Sequence, residues 1–522
     1  MTRPARRGRA LALLIGVAVT VSIATAVAPA ATRRGESRVP PDVTEHLGEW
    51  VVPHRDYSNS RATTDSIITA ANVTTLAPAW AKEMPGRGLF GNYASTPLIV
   101  GDTVYGQDLT SNVWALSLED GSVRWKKKYD DPVIGPNGIG YGYGKAFALI
   151  GRERLVALDA DTGKQVWSRS VSLHFQDGVS IQPTVVDGLV LVSTFPGNIR
   201  EQDFPAGVRG VIQAFDQRRG TRVWKFDTVK GKTIWGNDDL NAGGGAWYPP
   251  AVDLEVGVAY WGTGNPAPWP GTAEFPGGTS REGPNLYSDS VLAVGIRDGK
   301  LRWYQQANPH DLFDHDLQLT MLVDDAHGRR LVIASGKLGI VFAYDAETGD
   351  PVWETPVGTH LNDDLTELTG PTPVSPGPLG GVITPMAHAD GVIYVPVVDN
   401  PATYLPDTPN FVSDFDLGGG EGLLVALDAT TGDVVWETHL DVGTGMNLGG
   451  ATVVNDLVFT STNDGTVYAL DRESGQVLWT FTAGGAINGW PAAVGDTILI
   501  PVGASEPPAL VALRLGGEGG GS

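Results

Sequence analysis

Short runs of alternating apolar and polar residues fill the chain, and they come in pairs. Each pair has an apolar run, a turn carrying Asp and Gly, and a second alternating run that ends in tryptophan. Residues 113–125 (VWALSLEDGSVRW) and 155–167 (LVALDADTGKQVW) are two copies. Others occupy residues 212–224, 291–303, 341–353, 424–436 and 467–479, ending at Trp224, Trp303, Trp353, Trp436 and Trp479. Alternation with period two predicts half-buried strands. An Asp-x-x-Thr-Gly turn offers an Asx bend with glycine where positive φ is needed, so each copy predicts a β-hairpin. Seven copies are whole. An eighth is split between the ends of the chain: residues 76–80 (LAPAW) carry a tryptophan-ended strand and residues 509–515 (ALVALRL) the matching inner half. Pairing the two would close a ring and leave no blade with an uncovered apolar face. The expectation is an all-β, eight-bladed propeller over residues 45–515, with its tryptophans between blades.

Composition sharpens this in three ways. The absence of cysteine rules out disulfides, thiolate metal sites and c-type haem attachment within this sequence. The net charge of −22 disfavours nucleic acid and anionic lipid as partners. At the N-terminus, Arg3, Arg6, Arg7 and Arg9 precede an apolar run over residues 11–27 and small residues Ala26, Ala28 and Ala30. That pattern predicts a signal peptide or N-terminal anchor over residues 1–31, a possible membrane tether, and a folded part outside the cytoplasm. A polar linker over residues 32–44 and a flexible Gly-rich tail over residues 516–522 complete the expected organisation.

Three stretches carry candidate chemistry. Residues 243–250 (GGGAWYPP) place Trp247 after three glycines, among them Gly245. Glycine lets a ligand approach the backbone, and an indole is a flat apolar platform; the plain alternative is core packing. Residues 260–269 (YWGTGNPAPW) put Asn265 in a stiff turn, where its amide oxygen suits a hard cation or simply completes the turn. Residues 308–316 (NPHDLFDHD) bring Asp311, Asp314 and Asp316 close together. In an extended segment Asp314 and Asp316 share a face, and two such carboxylates repel unless a cation lies between them. That predicts a metal; a solvated acidic turn is the plain alternative. Lys337 lies in an apolar, glycine-flanked strand (SGKLGIVFAYD), an unusual place for a surface lysine. His310 and His315 lack zinc spacing, and no phosphate loop or dinucleotide-binding helix follows a strand.

The tryptophan-ended repeats, the opening RDYSNSR (residues 55–61) and the order of these three stretches resemble the quinoprotein alcohol dehydrogenases, propellers that carry pyrroloquinoline quinone (PQQ). The resemblance implies oxidation of an alcohol or sugar hydroxyl to a carbonyl, with PQQ and a calcium or lanthanide ion as cofactors. Asp314 would be the general base, Asn265, Asp314 and Asp316 the metal ligands, and Trp247 the surface under the PQQ ring. Lys337 would face the quinone oxygens, and Ser180 would hold PQQ. Electrons would pass to a separate acceptor such as a cytochrome. Cofactor-free propellers, the outer-membrane assembly lipoproteins among them, share the repeat. A non-enzymatic scaffold is therefore the alternative reading, and a propeller that keeps the metal without PQQ a third.

The sequence departs from that pattern. Pro205 stands where the resemblance implies a metal-binding glutamate, with Glu201 and Asp203 as nearby substitutes. Asn137 stands for an arginine that pairs a PQQ carboxylate, and Ala94 for an early glutamate. Arg209, Arg281 and His388 are the cations expected to compensate. Insertions near residues 198–208, 266–285 and 358–381, extended by 399–420, are expected to roof the central channel.

Overall fold

The computed structural model describes residues 37–88, 91, 93–174, 176–197, 205–414, 420–440, 445–503 and 507–517. The apolar run at residues 11–27 and Glu201 and Asp203 lie outside them. Among the described residues no helix is long and apolar enough to cross a membrane.

Every hairpin expected from the repeat forms, and each becomes the outer half of a sheet built on four antiparallel strands, with one further short strand added in two of the blades, Ala62–Thr63 pairing parallel in one of them. The first blade takes Leu98–Val100, Thr103–Gln107, Val113–Ser117 and Val123–Lys127 in order. Six more follow in the same up-and-down sequence. The eighth combines Ala492–Val494, Thr497–Val502 and Ala509–Leu515 with Leu76–Glu83 from the start of the chain. Trp80 lies opposite Ala512 in that pairing, so segments from the two ends of the chain share one blade and close the ring.

The tryptophans lock neighbouring blades together. The indole N–H of Trp125 donates to Ala160 O (2.8 Å), that of Trp224 to Ile296 O (2.7 Å) and that of Trp80 to Leu118 O (3.0 Å). Each of these rings lies on the turn glycine of the next blade. A Cβ on Gly163, whose φ is +67°, would come within 2.6 Å of the Trp125 ring. The glycine therefore serves twice, allowing the left-handed turn and leaving room for the indole. Gly163→Ala is expected to destabilise the protein by about 1–3 kcal/mol, read as a lower urea midpoint. Alanine accommodated without loss would show that the indole moves freely.

Residues 50–67 form a strap across one end of the channel and are stitched to seven blades. Main-chain oxygens of Trp50, Tyr57, Ser58, Ser60, Arg61 and Thr63 accept from Ile99, Val252, Leu322, His388, Val453 and Asn455 N–H groups. The Ile67 N–H donates to Gly495 O, and the Tyr57 hydroxyl donates to Val185 O. Arg61 is the hub. It is fully buried and donates to Ala451 O, Thr96 Oγ1, Thr452 Oγ1 and Pro491 O at 2.7–2.9 Å. Further up the axis, Trp490 from the eighth blade meets Tyr248 from the fourth, ring centroids 5.3 Å apart.

Candidate functional site

The residues after Tyr248 and before it lead back to the three stretches singled out above. Backbone hydrogen bonds zip these stretches together. The Gly244 N–H donates to Asn265 O (3.0 Å) and the Gly264 N–H to Gly245 O (2.6 Å). The Leu317 N–H donates to Thr263 O, and the Lys337 N–H to Asp316 O. Close approach needs glycine here: a Cβ on Gly264 would lie 2.5 Å from Asp316 Oδ1 and 2.8 Å from Trp247 Nε1. One point thus gathers Trp247, Asn265, Asp314, Asp316 and Lys337.

The centre of the cluster is an ammonium between two carboxylates. Lys337 Nζ lies 2.7 Å from Asp314 Oδ2 and 2.7 Å from Asp316 Oδ2. Asp316 Oδ1 also accepts the Asn265 N–H at 2.8 Å. The cation between the two aspartates is therefore the chain's own lysine, so the pair does not by itself demand a metal. The segment is not extended either: Asp314 has φ +63°, and the turn at that residue is what aims its carboxylate at Lys337. Asp311 folds the loop. Its Oδ1 accepts the Phe313 N–H and its Oδ2 the His315 N–H, which holds the turn and keeps Asp311 away from Lys337.

Burial pushes the Asp314 carboxyl up to about 8, against the pull of Lys337 and with the push of Asp316. Burial alone would lower the Lys337 ammonium, but Asp314 and Asp316 outweigh it and hold the group protonated. An unfolded aspartate titrates near 3.9, so the folded metal-free protein binds this proton more tightly than the unfolded chain. The contribution is complete below about pH 4 and is lost as pH rises through about 8. The urea midpoint of metal-free protein is expected to fall across that window, and Asp314→Asn to flatten the fall. An unchanged slope in the variant would assign the titration elsewhere.

The remaining candidates divide. Ser180 is buried and donates to Pro136 O (3.2 Å), and no hydrogen bond joins it to the Lys337 cluster. The Arg281 guanidinium is fully buried and spent on Pro268 O, Asn285 Oδ1 and Asp311 O. Arg209 donates to Gly231 O and Lys232 O near the surface. The His388 N–H bonds the strap at Ser60, placing His388 at the strap end of its blade. Pro205 offers no donor to a cation, and the Asn137 side chain donates to Asp108 O. The two arginines expected to compensate, Arg209 and Arg281, are thus committed to partners within the protein.

Two neighbours of the cluster carried no sequence signal. Phe195 ends a strand of the third blade and covers one face of Trp247, ring centroids 4.4 Å apart. Asp289, before the third strand of the fourth blade, is wholly buried, and neither carboxylate oxygen has a hydrogen-bond partner. A carboxylate entering an apolar strand (YSDSVLAV) was the one available hint. Above the cluster, Trp269, Phe313, Leu368, Val374, Tyr404 and Val412 make a small core joining the loops near residues 266–285, 358–381 and 399–420. The Tyr404 hydroxyl donates to Phe313 O, tying that roof to the residue beside Asp314.

The cluster suits a hard cation and the reacting edge of a flat ring. Asp314, Asp316 and the amide oxygen of Asn265 are hard oxygen donors, although no three acidic or histidine side chains among the described residues form a metal cage. The Trp247 indole N–H is buried without a partner beside Gly264, a donor that an acceptor-bearing ligand would satisfy.

The family described as the glucose/ethanol/alcohol dehydrogenase β-propeller domain matches residues 50–387, and the outer membrane protein assembly factor BamB family matches residues 411–513. A quinohemoprotein alcohol dehydrogenase, ADH IIB of Pseudomonas putida, is 27% identical over 507 residues, covering 84% of this chain and 70% of its own. The lanthanide-dependent methanol dehydrogenase of Methylacidiphilum fumariolicum is 27% identical over 524 residues, covering 85% and 82%. The solved structure of quinohemoprotein alcohol dehydrogenase ADHIIG from Pseudomonas putida HK5 superposes with a TM-score of 0.79 at 21% identity, covering 91% of this chain and 82% of that one.

Proposed function

Because the chain belongs to the glucose/ethanol/alcohol dehydrogenase β-propeller family, we propose that it oxidises an alcohol or sugar hydroxyl to a carbonyl outside the cytoplasm. PQQ and a calcium or lanthanide ion are the cofactors, and a separate acceptor such as a cytochrome takes the electrons. The observation that carries this reading is the Asp314–Lys337–Asp316 bridge beside Trp247 and Asn265. Such a site holds a proton acceptor, a cation donor set and a flat surface within one cluster.

In this reading Asn265, Asp314 and Asp316 hold the ion. Trp247 carries the ring, while the missing Cβ of Gly245 makes room for Phe195, whose Cβ would lie 2.6 Å from one placed there, and not for the ligand. Bound PQQ supplies the two-electron acceptor, and the ion polarises it. Asp314 receives the substrate hydroxyl proton at a carboxylate oxygen, which requires its ionised form. Lys337 would compete with a bound ion for Asp314 and Asp316, and its ammonium, released from them, would be free to donate to an acceptor oxygen of the ligand. The roof loops keep bulk water from Asp314. The match of residues 411–513 to the BamB family favours a second reading, a non-enzymatic scaffold that binds protein partners.

A PQQ titration of the purified protein, with calcium and separately with lanthanum, tests the proposal through tryptophan fluorescence. Saturable, metal-dependent quenching that disappears in Asp316→Ala is expected. Asp314→Asn should still bind PQQ yet lose about 100- to 10,000-fold in kcat with an alcohol it oxidises. No quenching with either ion would favour the scaffold reading.

A further inference from the structure

Asp289 is a wholly buried carboxyl group whose oxygens have no hydrogen-bond partner. Its backbone is fixed at φ +48°, with its N–H donating to Gly264 O (3.2 Å) and its carbonyl accepting the Ala307 N–H (2.9 Å). The side chain is therefore anchored behind the turn that presents Asn265. It is completely buried, and neither carboxylate oxygen receives a hydrogen bond. The nearby Ser288 hydroxyl favours the charged form but donates to Asn285 O, and a buried carboxylate with so little support is costly to the fold. An asparagine or serine at the same place would remove that cost.

The charges around it do not repair the deficit. Arg281 attracts it weakly, but the guanidinium is committed to Pro268, Asn285 and Asp311. Asp311 and Asp316 repel it. Three carboxyl groups, Asp289, Asp314 and Asp316, thus share the neighbourhood of one ammonium, Lys337, which only Asp314 and Asp316 touch. Without a cation, burial first and then the Asp311 and Asp316 charges hold the Asp289 carboxyl well above the usual carboxylate range. A cation beside Asp316 acts in the opposite direction.

We propose that Asp289 is a charge-selecting residue of the cation site. It stays off the ion, but its buried carboxylate behind the Asn265 turn favours ions of higher charge, a trivalent over a divalent one. The inference rests on the metal-dependent reading of the same cluster. Its signature is charge scaling. A fixed negative charge that does not touch the ion acts through its potential, so removing it weakens binding in proportion to the ion's charge on a logarithmic scale.

The test uses the full chain without PQQ. Terbium binding is read from luminescence sensitised by Trp247, and calcium binding from competition with terbium. Asp289→Asn is expected to lose about tenfold in calcium affinity and about thirtyfold in terbium affinity. The metal-free variant is expected to melt higher than the parent, because the stranded carboxyl is gone. Asp289→Ser, smaller and also neutral, should repeat both effects and guards against a fault particular to asparagine. Equal losses for the two ions, or no loss, would overturn the charge-selecting role and leave the metal reading standing. A lower melting temperature in both metal-free variants would overturn it too, since Asp289 would then hold the fold. Failure of the parent protein to bind either ion would sink the metal reading and this inference with it.

Discussion

Replacing Lys337 with methionine is expected to cost the metal-free protein about 3–5 kcal/mol, the usual result of removing one partner from a buried ion pair. Lys337 is the cation within 2.7 Å of both Asp314 and Asp316, and methionine leaves two buried carboxylates facing one another. The loss should appear as a lower urea midpoint above about pH 8, where the folded Asp314 is ionised, and should shrink as pH falls and that carboxyl takes up its proton. Calcium or lanthanum should then stabilise Lys337→Met more than the parent protein, because the ion enters a place no ammonium contests. Equal stability of the two proteins without metal would mean that the carboxylates are already neutral and the bridge contributes nothing.

Arg61→Lys is expected to be nearly as damaging as Arg61→Met, and both to cost more than about 4 kcal/mol. The guanidinium serves four acceptors from the first, seventh and eighth blades at once. Lysine keeps the charge but offers a compact ammonium with no planar fork. It would leave some of the buried oxygens of Ala451, Pro491, Thr96 and Thr452 without donors, at roughly 1–3 kcal/mol for each unsatisfied group. Burial already pulls the arginine down to about 9, a sign of how little water reaches it. A lysine variant within about 1 kcal/mol of the parent would show that charge alone holds the strap.

The propeller was legible because its signal is repeated and local. Each Asp- and Gly-bearing turn and closing tryptophan needs only a few neighbours to form, and even the split blade could be paired by its two halves. What the repeat could not display is which side of a turn glycine a neighbouring indole would press against. The site was legible in order but not in arrangement. Trp247, Asn265, Asp314, Asp316 and Lys337 meet because backbone bonds join Gly264 to Gly245, Leu317 to Thr263 and Lys337 to Asp316, partners far apart in sequence. Alternation suggested that Asp314 and Asp316 share a face and await a metal. The left-handed turn at Asp314 and the bridging Lys337 produce the meeting differently. Arg281 looked free to meet a ligand because sequence does not reveal that carbonyls of Pro268 and Asp311 have claimed it. Asp289 was passed over for the converse reason, since its importance lies in having no partner at all.

The strap gives this chain an unusual order of assembly. Bonds from Arg61 reach residues 390 and 430 positions further along, and the outer strand of the last blade is drawn from residues 76–83. A ribosome makes the strap first, yet its partners in the seventh and eighth blades are made near the end. Early blades can form hairpins as they emerge, but ring closure waits for the whole chain. Such distant contacts place the molecule among slow folders. A polypeptide released short of the eighth blade would keep most of its hairpins and still lack the contacts that join its beginning to its end.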